Sequence, residues 1–97
     1  MSSVNLAEVV GYFAKAGSPV HDIRAMFAAL PITIYPFDTE LAYAAGRLRP
    51  LGETAGLSLG DRACLALSKH EGMKCLTEDR SWLKIAAAYG VDVELIR

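Results

Sequence analysis

The sequence predicts an α/β domain with a short parallel sheet, and three observations predict it. Apolar residues recur at helical spacing in several segments, each closed by a glycine or a proline. Between those segments lie brief apolar or β-branched runs, and strands separated by helices pair in parallel. The chain has 97 residues, 53% hydrophobic and 22% charged, which fits one globular domain over 1–97.

The elements follow in order. A helix over 4–16 carries Val4, Leu6, Val9, Val10 and Phe13, and Gly17 stops it. Ser18 as N-cap and Pro19 at the first helical position begin a second helix. It runs to about residue 30, with Ile23, Met26, Phe27 and Leu30 on one face. Pro31 breaks it, and "ITIYP" (32–36) reads as a strand because it is β-branched and aromatic. Asp38 is placed to cap a third helix over 39–49, striped by Leu41, Ala42, Ala45 and Leu48. "RPLGETAG" (49–56) is a turn-rich loop. A fourth helix spans 58–71 with Gly72 just beyond it. "KCLT" (74–77) reads as a buried strand, 80–89 as a helix stopped by Gly90, and "VDVELI" (91–96) as a last strand. The count is three strands and about five helices.

Charge and cysteine usage narrow the classes. The net charge of −1 advertises no nucleic-acid backbone, so handling RNA requires a local patch or a bound cation. Cys64 and Cys75 form no C-x-x-C pair and lie in apolar runs. They read as buried thiols in a reducing compartment, which points to the cytoplasm. The longest uncharged stretch, 25–37, contains two prolines and is too short for a bilayer, so no membrane role is expected. The start of the chain lacks a basic region and Glu8 interrupts its apolar run, so no signal peptide is expected. A chain this short buries its own surface only modestly, which makes a homodimer or another partner an expectation.

Three carboxylates stand in unusual settings. Glu8 is the only charge in the first fourteen residues, Asp61 opens an apolar helix, and Asp79 follows "KCLT". Each has a local explanation. Asn5 as N-cap with Glu8 three residues on makes a variant capping box, with Val4 and Val9 as its hydrophobic staple. Ser58 with Asp61 makes another, and Asp79 can cap the helix after it. Taken together they suggest more. Ligands of open parallel sheets collect beyond the carboxyl ends of the strands, where Asp79 lies. A group of carboxylates there needs a counter-charge, and Arg62 and Arg80, each next to its aspartate, are poorly directed to supply it. A divalent cation such as Mg²⁺, held by oxygen ligands and waters, meets the need.

At these residues the chain resembles the PIN-domain family, and within it the VapC-type toxins of bacterial toxin–antitoxin pairs. The stretches that carry the resemblance are "VNLAEVV" (4–10), "FDTELAYAAGRLR" (37–49), "LSLGDRACLAL" (57–67) and "CLTEDRSW" (75–82), in family order over most of the chain. The resemblance implies a three-layer α/β/α fold and a metal-dependent endoribonuclease. It assigns Glu8, Asp61 and Asp79 to Mg²⁺ or Mn²⁺ and to catalysis, with Thr77 as a supporting hydroxyl. It implies RNA as substrate, a 5′-phosphate and a 3′-hydroxyl as products, and a cognate antitoxin protein as partner. Family members place a strand bearing a further aspartate ahead of the glutamate motif. This sequence begins almost on that motif, so the expected sheet is incomplete on its N-terminal side. A strand from elsewhere between "ITIYP" and "KCLT" would complete it.

A second class stays open: a catalytically incompetent PIN remnant that binds an antitoxin or dimerises through an apolar surface. Tyr12, Met26 and Phe27 are candidates for that surface, although helical spacing favours them as core. His21 and His70 sit on helix exteriors with no second ligand at zinc spacing. No glycine-rich phosphate loop and no local Ser/His/Asp arrangement occurs. Trp82 reads as a packing residue under the last helix. Arg47 and Arg49 read as a solvated helix end, with contact to an RNA backbone as the alternative.

Overall fold

The computed structural model describes residues 1–51 and 56–96. The loop reading of 49–56 therefore lies outside the described residues at 52–55. In chain order the elements are α1 (Ser3–Lys15), α2 (Val20–Ala28), α3 (Thr39–Arg47), α4 (Leu59–Glu71), β1 (Cys75–Thr77), α5 (Trp82–Tyr89) and β2 (Val93–Leu95). The α/β class and the parallel pairing are as expected: Cys75 lies opposite Val93 and Thr77 opposite Leu95.

One strand is corrected. Among the described residues the sheet has two strands rather than three. "ITIYP" contributes only an isolated parallel bridge between Tyr35 and Ser2. The Tyr35 N–H donates to the Met1 carbonyl at 2.9 Å, and the Ser3 N–H donates to the Tyr35 carbonyl at 2.9 Å. β-Branched residues favour the extended backbone, but Pro31 and Pro36 bracket the run and remove donors from any longer ladder. Its partner is equally short, because α1 begins at Ser3.

The caps explain where the helices start. Ser2 Oγ accepts the Val4 N–H at 3.2 Å and starts α1, so Asn5 is inside the helix and not its cap. α2 has Pro19 at its N-cap position without a side-chain bond. It ends at Ala28, short of residue 30, as expected for a chain approaching Pro31. Asp38 Oδ1 accepts the Leu41 N–H at 3.0 Å and caps α3 as predicted. α4 carries the complete Ser58–Asp61 capping box and stops at Gly72, whose φ of 66° is a left-handed conformation that glycine adopts freely.

The core gathers around α4. Leu65 of α4 joins Leu48, Leu57, Cys75, Trp82, Ile85 and Val91 in one cluster, and Ala66 and Leu67 join Leu41 and Ala45 in another. Trp82 is buried as expected. Tyr12 and Met26 are exposed, Tyr12 at 74%, against the reading that made them core. On β1, Cys75 and Thr77 face inward and Leu76 faces out. Lys69, in the last turn of α4, donates to the Tyr89 carbonyl at 2.7 Å and lies 4.2 Å from the centre of the Tyr89 ring. Among the described residues no helix is long and apolar enough to cross a membrane.

Candidate functional site

The Glu8 carboxylate lies against Gly60 in the first turn of α4, the turn that also bears Asp61. Asn5 Nδ2 donates to Glu8 Oε1 at 3.2 Å and to the Gly60 carbonyl at 3.0 Å, fastening the first turns of α1 to the first turn of α4. A Cβ built on Gly60 would collide with the Glu8 carboxylate. The missing side chain of Gly60 is therefore the space into which the carboxylate fits, one residue before Asp61. The amino end of a helix carries partial positive charge and favours anions there. Neither carboxylate is paired with a lysine or arginine among the described residues. Arg62 does not pair with its neighbour Asp61, and its Nε is buried without an acceptor.

Asp61 performs the local role that the sequence offered. Its Oδ2 accepts the Ser58 N–H at 2.9 Å, while Ser58 Oγ accepts the Asp61 N–H at 3.2 Å. The box fixes the side chain and leaves Oδ1 outside it. The Asp61 charge is also felt deeper in: it adds to the hydrogen bond and burial that push Cys64 up, and it opposes the hydrogen bonds that bring Cys75 down.

Asp79 is held differently. Thr77 is buried at the end of β1, and its Oγ1 accepts the Asp79 N–H at 3.1 Å. Asp79 Oδ1 then accepts the Ser81 hydroxyl at 2.7 Å and the Ser81 N–H at 2.9 Å. These two bonds from Ser81 hold the Asp79 carboxyl below the usual carboxylate range. The turn into α5 is thus shaped by Thr77, Asp79 and Ser81, and the carboxylate is solvent-exposed.

The structure brings Glu8 to the turn that bears Asp61. It does not gather Asp79 with them: among the described residues no three acidic, histidine or cysteine side chains lie close enough to hold one metal ion. The donor set at Gly60 nonetheless suits a hard divalent cation. Mg²⁺ commonly takes one or two carboxylates and completes its shell with water, and here two carboxylates lack a cationic partner.

Sequence reasoning missed Asn5 as a tether, Gly60 as a cradle and Ser81 as the partner of Asp79. Gly60 had a signal. Glycine costs about 1 kcal/mol relative to alanine inside a helix, so a glycine in a first turn asks for a reason.

Two cavities flank this region. One of about 500 Å³ opens between α1 and α2, lined by Leu6, Val10, Val20, Ile23, Arg24 and Phe27 among others. The second, of about 340 Å³, separates Met1 and Ser2 from Met73–Leu76 on the β1 side, over a floor that includes Cys64, Leu67 and Ser68. On one side stand Met1 and Ser2, of which Ser2 bridges to Tyr35 of "ITIYP", and on the other the start of β1.

A family model described as PIN domain matches residues 1–88. No curated protein sequence and no solved structure matches the chain.

Proposed function

The chain belongs to the PIN-domain family, whose members are generally nucleases and typically use divalent metals, and from that premise we propose that it is a metal-dependent endoribonuclease, the toxin of a toxin–antitoxin pair of the VapC type. The observation that carries this reading is the Glu8 carboxylate lodged against Gly60, next to Asp61. Two anions at one helix end, with no lysine or arginine between them, are stabilised by a cation.

Glu8 and Asp61 would hold Mg²⁺ or Mn²⁺, and Asp79 would act from the end of β1, with Thr77 supporting its turn. When bound, the ion polarises the scissile phosphate and lowers the pKa of an attacking water. The chain's own part is positional. The Ser58 N–H keeps Asp61 in one rotamer, Asn5 keeps Glu8 against α4, and Ser81 keeps Asp79 ionised. RNA is the substrate in this reading, with 5′-phosphate and 3′-hydroxyl ends as products, and the cytoplasm is the compartment.

The partners are a cognate antitoxin and a second copy of the chain. The cleft between α1 and α2 supports the former. Its apolar wall of Leu6, Val10, Ile23 and Phe27, with Arg24 among its lining residues, suits an amphipathic segment that carries an acidic side chain.

RNA cleavage in Mn²⁺ by the chain and by Asp61→Asn tests the assignment. Asparagine can still accept the Ser58 N–H, so the fold is kept while the charge is lost. Activity should fall at least tenfold, and equal activity in the two proteins refutes the site. The lack of a three-ligand cluster among the described residues favours a second reading, a binding module without catalysis. Calorimetry separates the two, since absence of Mn²⁺ binding at millimolar metal supports the module.

A further inference from the structure

Cys64 and Cys75 are separated by eleven residues, and one is on α4 and the other on β1. Their sulfurs nevertheless lie 3.2 Å apart, each aimed at the other. Neither is in a disulfide. Both line the 340 Å³ cavity between Met1–Ser2 and Met73–Leu76, a space much larger than a small oxidant needs. A structural buried thiol packs against apolar groups and is inert. Cys75 is buried in the core cluster and Cys64 only partly so, yet the two sulfurs are in contact and both line the opening.

We propose that Cys64 and Cys75 are a modification site, a dithiol that a hydroperoxide converts reversibly into an intramolecular disulfide joining α4 to β1.

The surroundings assign the order of events. The hydrogen bond shared with Cys64 and a second from Ser68 bring the Cys75 thiol down, against the opposing effects of burial and Asp61. Hydrogen bonding to Cys75, burial and Asp61 push Cys64 up. Cys75 is therefore the thiolate that attacks. Its sulfur bonds to one peroxide oxygen, the O–O bond breaks, and hydroxide leaves and takes up the proton that Cys75 released. Cys75 is now a sulfenic acid. The Cys64 sulfur then attacks it, the S–O bond breaks, and the departing hydroxide takes the Cys64 proton. Two thiols are oxidised to one disulfide and one hydrogen peroxide is reduced to two waters. An added dithiol reverses the bond by exchange.

The test uses the whole chain, hydrogen peroxide as oxidant, and intact mass after alkylation of the remaining thiols. The expected product has lost two hydrogens, carries no alkyl group, runs as a monomer without reductant, and regains two alkylatable thiols after dithiothreitol. Cys64→Ser removes the resolving thiol and should leave a sulfenic acid on Cys75 that dimedone traps. Cys75→Ser should give at least tenfold less dimedone adduct. Sulfinic acid on one cysteine of the unsubstituted chain, disulfides only between chains, or two thiols that stay alkylatable while free cysteine is consumed would each overturn the proposal. None of these readouts depends on nuclease activity, so the result stands apart from the function proposed above.

Discussion

The α1–α2 hairpin and the α3–α4 pair both read as amphipathic helices in the sequence, yet they are buried very differently. α4 buries Ala63, Leu65, Ala66 and Leu67, and α3 packs along it through Leu41 and Ala45. α1 buries no residue and α2 only Ile23. Polar bonds tie the hairpin to its neighbours: Ser3 to Tyr35 and Phe37, and Asn5 to Gly60. An amphipathic pattern records what a helix can bury and not what the fold gives it to bury against. Here it marks a core in one region and an apolar cleft in the other, while Glu8 stands on the loosely packed partner and Asp61 on the rigid one.

That contrast can be broken by mutation. Leu65→Ala should cost about 2–5 kcal/mol, because its side chain is fully enclosed and the cavity cannot collapse freely. Tyr12→Ala on the hairpin should change stability by no more than about 0.5 kcal/mol. Chemical denaturation compares them, and similar losses would show that the hairpin is as integral as α4. Ser58→Ala should come next at about 1 kcal/mol, since it removes half of the box that starts α4.

Gly60→Ala sharpens the comparison at the point where the two regions touch. The new methyl would displace the Glu8 carboxylate. That carboxylate is the end of a flexible side chain, and alanine favours the helix by about 1 kcal/mol. Thermal stability should hold or rise slightly while RNA cleavage falls at least tenfold. Retained cleavage would separate Glu8 from the chemistry.

The smallest effect belongs to Asp79. Its folded pKa lies below the ordinary value, so its contribution to stability is present above the ordinary carboxylate range and is lost as pH falls through the folded pKa. Ser81→Ala should bring the Asp79 titration back up, as read from its carboxyl carbon by NMR. The stability gap between the two proteins should close in acid. An unchanged titration would mean that Ser81 is not what holds the charge.

Local rules found what local bonds decide. Asp38 capping α3, the Ser58–Asp61 box and the stops at Gly72 and Gly90 were legible because cap, donor and glycine lie within a few residues of one another. "ITIYP" misled because β propensity reports how side chains suit a pleated, half-buried surface, whereas a strand also needs a neighbour with free donors and acceptors. The bridge between Ser2 and Tyr35 is too short to leave a pattern. Of the three carboxylates, the sequence indicated which were unusual but not which would come to one helix turn. Glu8 reaches Gly60 across more than fifty residues, and the sulfurs of Cys64 and Cys75 meet across two elements; neither closeness has a periodicity.

Lys69 has a consequence of its own. The last turn of α5 contains no basic residue, so its carbonyl-rich end lacks the cation that usually offsets partial negative charge. Lys69 supplies it from the last turn of α4, a position at which a cation also favours that helix's own carboxyl end. One charge thus terminates two macrodipoles. The junction of α4 and α5 should accordingly loosen with rising ionic strength, while the apolar contacts of Leu65 and Ile85 beside it do not.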